Sequence, residues 1–340
     1  MKKEVMVIIN LYKNFIEYGG AEKVAIDVHY GLTELGYECY LMGGNSFESN
    51  NSKYNIEKKQ YKKFSALNAF NLKNTTIISH HRKNTTILFF LNKLLRLNIR
   101  LIHVAHNEFD NLKFFSYYPK EIITVSQRVK DNLVSFFNVN PNNITVIYNG
   151  LADLYDQLRD TNLSTDKIKI LYAARITKVK GQVELVNNLK GKLNNNIQID
   201  FAGTGEDDLE LQAITKEDKN FNCLGFTNLS NEFYKYNYVM LFSSNEGLPL
   251  TLIESCSFKT PVICNDIGGN VEIIDDAVNG FVVNDYSSLL DLINNKLPEI
   301  NPESYATMSD NARATFEKKF LKIKMIENYK EYIEKGKHVF

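Results

Sequence analysis

Cysteines in metal-ligand spacing, long apolar runs, internal repeats and net charge are all missing from this chain. Its four cysteines, Cys39, Cys223, Cys256 and Cys264, are scattered, form no C-x-x-C and have no histidine at ligand spacing. That argues against a zinc site or a disulfide framework and suits a reducing compartment. No apolar run approaches the about 20 residues needed to span a bilayer. The opening "MKKEVMVIINLY" starts basic like a signal peptide, but Glu4 interrupts it, the apolar run is short and no small-residue cleavage site follows. A buried first strand explains it better. The net charge of zero hides an asymmetry: residues 1–150 hold 19 of the 40 basic and 12 of the 40 acidic side chains, a net of +7, which leaves the remainder at −7. Two halves with different charge suggest two different jobs.

What is present is a 340-residue composition, 44% hydrophobic and 24% charged, typical of a soluble globular protein with two cores. Short apolar runs alternate with helical patterns. Strands are expected at 5–10, 38–44, 75–80, 99–106, 121–126 and 144–150. Between the first two, residues 21–35 place Ala21, Val24, Ala25, Val28, Leu32 and Leu35 on one helical face. Residues 151–166 lose the pattern and read as a connector. Strands then resume at 167–174, 197–203, 222–226, 238–243, 261–266 and 280–283, before a charged helical tail over about 302–335. Alternation of this kind implies an α/β fold of doubly wound parallel sheets, which bind ligands just beyond the carboxyl ends of their strands. We divide the chain into residues 1–155, residues 166–320 and a C-terminal helix over 321–340.

The residues that could carry chemistry follow strands. "NEGLPLTLIE" (245–254) ends the strand at 238–243 with Asn245 and Glu246, and Pro249 suits the first turn of a following helix. Amide groups of Gly247, Leu248 and Leu250 would then form an anion site at the helix start, with Glu246 and Glu254 on either side to bind a diol. A surface acid pair flanking a helix is an equally good reading from spacing alone. Arg175 and Lys180, after the strand at 167–174, could neutralise a leaving diphosphate, although such a pair is more often a solvated face. Gly203 belongs to a Gly-x-Gly turn, a weak motif without the full G-x-G-x-x-G. Gly19 and Gly20 open the first long helix, and His106 closes a strand as a possible donor or base, though a lone histidine is more often structural. His80, His81 and Arg82 follow another strand and carry less weight. Glu206, Asp207 and Asp208 read as an acidic helix start.

In order along the chain, "GGAEKVA", "HVAHN", "ITVSQRVKDNL", "ITVIYNGL", "AARITKVKG", "FAGTGED" and "SSNEGLPLTLIESCSFKTPVICNDIGGNVEIIDDAVNGFVV" resemble the retaining glycosyltransferases of family 4. The resemblance runs nearly end to end and is most specific in the last run. It implies the GT-B fold, two facing Rossmann-like domains with an interdomain cleft, the first domain on the acceptor side and the second holding a nucleotide-sugar, and a last helix that crosses back to the first domain. It implies catalytic roles for Glu246 (donor-sugar hydroxyls), His106 (beside the sugar), and Arg175 and Lys180 (the diphosphate). Glu254 would bind the ribose, and Gly19, Gly20, Asn245, Gly203 and the Gly247–Leu250 turn would approach the donor. Ala174 stands where the family usually has a glycine before the arginine.

The expected reaction is transfer, with retention, from a nucleotide-diphospho-sugar (a UDP-sugar by preference) to a glycan or lipid-linked glycan, in bacterial capsule, O-antigen or lipopolysaccharide synthesis. No cofactor and no metal are expected, because no two aspartates lie two apart and Asp-x-Asp is therefore absent. The partners are the donor, the acceptor and a membrane surface met through the basic half, at "KKQYKK" (58–63) and "FFLNKLLRL" (89–97); no nucleic-acid module is present. A solvated loop or helix face at 58–63 and a helix at 89–97 packed on the sheet are the plainer readings. Localisation would be cytoplasmic, peripheral at the inner face of the plasma membrane. The alternatives are a GT-B sugar-nucleotide epimerase, or a non-catalytic binding subunit that would be expected to lack some donor contacts.

Overall fold

The computed structural model describes residues 6–65, 70–155, 167–227, 229 and 232–336, so most of the expected connector lies outside the described residues. The chain divides into two compact units, Met1–Gly150 together with Lys322–Phe340, and Leu151–Leu321.

The N-terminal unit is a parallel sheet of seven strands: β1 (Val7–Leu11), β2 (Glu38–Gly43), β3 (Tyr61–Lys63), β4 (Thr76–Ser79), β5 (Arg100–Ala105), β6 (Glu121–Thr124) and β7 (Ile144–Val146). Their order is β3-β2-β1-β4-β5-β6-β7, so the winding reverses between β1 and β4. All of β4 and β5 is buried, including the polar Thr76, Ser79, Arg100 and His103, as in central strands covered on both faces. Helix α1 (Gly20–Glu34) shares a core of Phe15, Ala25, Ile26, Leu41 and Tyr54. Helix α2 (Arg82–Leu95) brings Leu88 to a separate core of Ile9, Leu11, Ile77 and Leu101. Helix α3 (Gln127–Ser135) starts where Ser126 accepts a hydrogen bond from the Val129 amide at 3.2 Å, and it buries Val129 and Leu133, one turn apart.

Two details differ from the sequence reading. The α1 helix buries His29 and Gly31 beside Val28 and Leu32, whereas Leu35 stops the helix and lies 46% exposed. The "KKQYKK" stretch ends in the edge strand β3. Three residues are too few to show a period, and lysines are the side chains that edge strands tolerate.

The C-terminal unit has a six-stranded parallel sheet: β8 (Ile168–Ala173), β9 (Ile197–Ala202), β10 (Phe221–Gly225), β11 (Tyr238–Leu241), β12 (Val262–Cys264) and β13 (Gly280–Val282). Its order, β10-β9-β8-β11-β12-β13, is the doubly wound dinucleotide-fold order with the reversal between β8 and β11. Helices α4 (Gln182–Leu189), α5 (Asp208–Thr215), α6 (Leu250–Ser257), α7 (Asn270–Ile273) and α8 (Tyr286–Asp291) connect or follow the strands. The charged tail is two helices, α9 (Pro302–Lys319) in this unit and α10 (Lys322–Lys335) in the other. In α9, Arg313 donates to Asp153 and to the Ser257 carbonyl. In α10, Ile326 lies where any side chain at Gly31 of α1 would stand, and Arg100 donates to the Ile333 carbonyl at 2.6 Å while pairing with Glu121.

Candidate active site

The winding reversal in the C-terminal sheet leaves the ends of β8 and β11 side by side, with loops that cannot both cross the same edge. Arg175 lies exposed in the loop after β8, and Lys180 ends a single turn of 3-10 helix there. Gly181 follows at φ +70, and a Cβ on it would lie 2.7 Å from the Phe242 carbonyl oxygen, so only glycine lets this turn pack on the end of β11. The fully buried Tyr172 ties the two together: its hydroxyl donates to the Lys180 carbonyl and accepts from the Phe242 amide at 2.9 Å. Burial raises its pKa, so the hydroxyl keeps the proton it donates.

This anchoring delivers the Lys180 ammonium to 2.6 Å from Glu246 Oε1. Glu246 is 5% exposed, with Gly247, Leu248 and Pro249 buried behind it. From the far side, Gly268 at φ +54 presses on the Glu246 carbonyl, where a Cβ would come within 1.9 Å. The Gly269 amide donates to the Gly247 carbonyl at 2.9 Å. Asn265 completes the clamp, accepting from the Ser243 amide and donating to its carbonyl at 2.7 Å, while Ser243 Oγ is buried without a hydrogen-bond partner. Pro249 sits one position earlier than expected, capping α6 in extended backbone (φ −71, ψ 122), and no side chain caps that helix. Helix geometry therefore leaves the first amides of α6 without intrahelical acceptors. Glu254, half-buried, lies one turn further along α6, and Asn245 is exposed beside Glu246. Gly203, at φ +151 after β9, approaches the Ala174 carbonyl so closely that a Cβ would lie 2.0 Å away.

The structure thus brings Lys180, Glu246 and the α6 start together on loops that follow neighbouring strands. Their direct pairing was not expected, and neither were Tyr172 and Asn265 as supports. Nothing in a sequence links Tyr172 to residues 242 and 180; Asn265 at least ends a strand.

In the N-terminal unit, Gly19 caps α1 in extended backbone, and its amide donates to the Tyr54 hydroxyl at 2.8 Å. The donors left at that helix start begin with Gly20, which is exposed. His106 follows β5 and meets His80, which follows β4, at 3.0 Å between His106 Nε2 and His80 Nδ1. The other nitrogen of His80 reaches Asn10 Oδ1 at 3.3 Å. With this amide orientation, His80 Nε2 carries the proton, His80 Nδ1 accepts, and His106 Nε2 donates. Burial holds both rings neutral near pH 7: it pushes His106 down to about 4, and His80 is depressed further by burial and by the neighbouring His106 and His103. Adjacent His103, pushed down by burial to about 3, contacts the Thr85 hydroxyl at 2.8 Å.

A family model for glycosyl transferases group 1 matches residues 156–315, and one for glycosyltransferase family 4 matches residues 18–153. An uncharacterized glycosyltransferase of Methanocaldococcus jannaschii is 28% identical over 193 residues, which are 51% of this chain and 49% of that protein. The O-antigen biosynthesis glycosyltransferase WbnH of Escherichia coli is 26% identical over 219 residues, 64% of this chain and 59% of that protein. The chain thus spans roughly half to three-fifths of the length of these relatives. Among solved structures, Anabaena Alr3699/HepE in complex with UDP-glucose superposes with a TM-score of 0.82 at 17% identity, covering 97% of this chain and all of that one.

Proposed function

We propose that this chain, matched by the family 4 glycosyltransferase model over residues 18–153 and by the glycosyl transferases group 1 model over residues 156–315, transfers a sugar from a UDP-sugar to a glycan or lipid-linked glycan in bacterial surface-polysaccharide synthesis. The observation that carries the site is the Lys180–Glu246 pair at the winding reversal, next to the uncapped start of α6. The UDP-glucose held by a fold neighbour and the O-antigen role in a relative's name support the donor class and the pathway.

In this reading the α6 amides, Arg175 and Lys180 hold the diphosphate, Glu254 the ribose, and Glu246 the sugar hydroxyls. The bond from the anomeric carbon to the diphosphate oxygen breaks as the acceptor oxygen bonds to the same face of that carbon, which retains configuration. The acceptor proton passes to the departing phosphate oxygen. The protein's share is electrostatic, since cationic and amide donors set in place stabilise the charge that develops on the leaving group. Glu246 is no nucleophile here: its carboxylate orients the sugar and keeps Lys180 aligned until the diphosphate arrives. His106, neutral, gives its Nε2 proton to His80 and leaves Nδ1 to accept from a sugar hydroxyl, and no metal ion is required.

Incubation with a panel of nucleotide-sugars tests this. Transfer or slow hydrolysis of one of them supports it, and isomerisation without transfer would indicate an epimerase instead. Glu246→Gln and Lys180→Ala should each abolish transfer in a protein that still melts cooperatively; full activity in either would remove the site assignment. We also place the acceptor at an anionic membrane surface on the cytoplasmic side, met by the N-terminal unit.

A further inference from the structure

One surface of the N-terminal unit is used by none of this chemistry. Leu112, Phe114 and Phe115 are 59%, 85% and 75% exposed within four consecutive residues, and Phe90 and Leu94 of α2 are 47% and 79% exposed. Tyr117 joins the two groups: its ring lies 4.6 Å from that of Phe90, and its amide donates to the Thr86 hydroxyl on α2. The loop is built rather than frayed. Arg82 at the start of α2 donates to both the carbonyl and the side chain of Asn111 and stacks on Phe109 at 4.0 Å. Leu112 stands in the left-handed region, φ 55, which costs a leucine energy and gains it no burial. A single 3-10 turn, Lys113–Phe115, then presents the two phenylalanines.

Large apolar side chains clustered on a surface mark an interaction site. The charges around them choose the partner. Residues 108–120 carry Lys113 and Lys120 against Glu108 and Asp110, and α2 adds the exposed Lys83 and Lys93 and no acidic residue. Lys83, Phe90 and Leu94 share one outward helical stripe, being seven and four residues apart. A phenylalanine 85% exposed at a turn is not the wall of a groove; it is a convex tip, and an aromatic tip with lysines on the same segment and on the neighbouring helix suits the boundary between acyl chains and anionic headgroups. Among the described residues no helix is long and apolar enough to cross a membrane, so the mode of contact would be insertion from one side.

We propose that the 112–117 loop and the outer stripe of α2 form a one-sided membrane anchor, with Leu112, Phe114 and Phe115 entering an anionic leaflet and the flanking lysines lying on its headgroups. This deepens the membrane part of the reading above and is independent of the donor chemistry. It also moves the contact away from "KKQYKK", where Lys58 pairs with Glu48, Lys59 with Glu57, and Lys62 covers the Tyr40 ring.

The test is co-sedimentation of the full chain with phosphatidylcholine vesicles, with and without phosphatidylglycerol, at low salt. Wild-type protein should partition to the anionic vesicles. The double variant Phe114→Ser/Phe115→Ser should lose at least about tenfold in partitioning, and Lys83→Glu/Lys93→Glu should lose the dependence on phosphatidylglycerol. Circular dichroism and nucleotide-sugar hydrolysis should be unchanged in both. Equal sedimentation of wild type and the phenylalanine variant, or none by wild type, overturns the anchor. So would light scattering that finds a wild-type dimer and a monomeric variant, since the patch would then join two copies. Absent hydrolysis in all three proteins would count against the donor reading alone.

Discussion

A lysine and a carboxylate at 2.6 Å, the carboxylate 5% exposed, make each other's burial tolerable. Removing one partner strands the other charge, whereas removing both leaves a small apolar gap. Single Lys180→Met and Glu246→Gln variants should therefore each lose stability, and the double variant should recover part of it, with a coupling of about 1–3 kcal/mol in denaturant melts. Additive losses would mean that the pair is screened by solvent. Gly268→Ala probes the same site from behind. Its Cβ would meet the Glu246 carbonyl at a left-handed φ, so we expect a loss of about 2 kcal/mol or more together with loss of transfer, read by melting and by turnover. Much of the site's content could be read from single residues, because Arg175, Lys180 and Glu246 are charged side chains in loops that follow strands, and Glu254 stands in the helix that follows Glu246. Their pairing could not. Lys180 and Glu246 are 66 residues apart and meet only because two strand ends are neighbours at the winding reversal.

At the scale of elements, His103 within β5 and the histidines just after β4 and β5 make the N-terminal unit sensitive to acid. His103 and His106 titrate at about 3 and about 4 in the fold against 6.5 when unfolded, so the unfolded chain binds more protons below pH 6.5. Stability is then intact above about pH 6.5 and falls as pH drops from there toward 4. Melting temperatures measured across that window should decline, and His106→Asn should flatten the decline; an unchanged slope would show that the ring is solvated. Strand and helix identities were largely legible, since buried parallel strands are written as apolar runs. The misses have physical causes. The strand β3 is three residues long at a lysine-bearing edge, and Leu35 falls one residue past the end of α1, where the chain turns out of the core.

For the whole molecule, the last helix is the element to remove. In the N-terminal unit α10 fills the space above Gly31 and takes the Arg100 guanidinium, which is 8% exposed, through the Ile333 carbonyl. Deleting residues 322–340 should unfold the N-terminal unit at a temperature where the C-terminal unit still melts cooperatively, seen as a split calorimetric transition. Arg100→Ala should lower the first transition alone, by about 2 kcal/mol, because it leaves the Glu121 carboxylate without its partner. One merged transition in both variants would mean that the units share a single cooperative core.

The same return of the chain sets an order of birth. The N-terminal unit is interrupted, its first 150 residues separated from their closing helix by the complete C-terminal unit. A ribosome adding about 5–20 residues per second needs roughly ten seconds or more to make that insert. During this time the groove on α1 that Ile326 will occupy stands open on a nascent chain. The C-terminal unit, unbroken in sequence, can be finished first. A translational pause or a chaperone acting within residues 151–321 would therefore bear on the half that began folding earlier, and the exposed α1 face is the surface such a chaperone would hold.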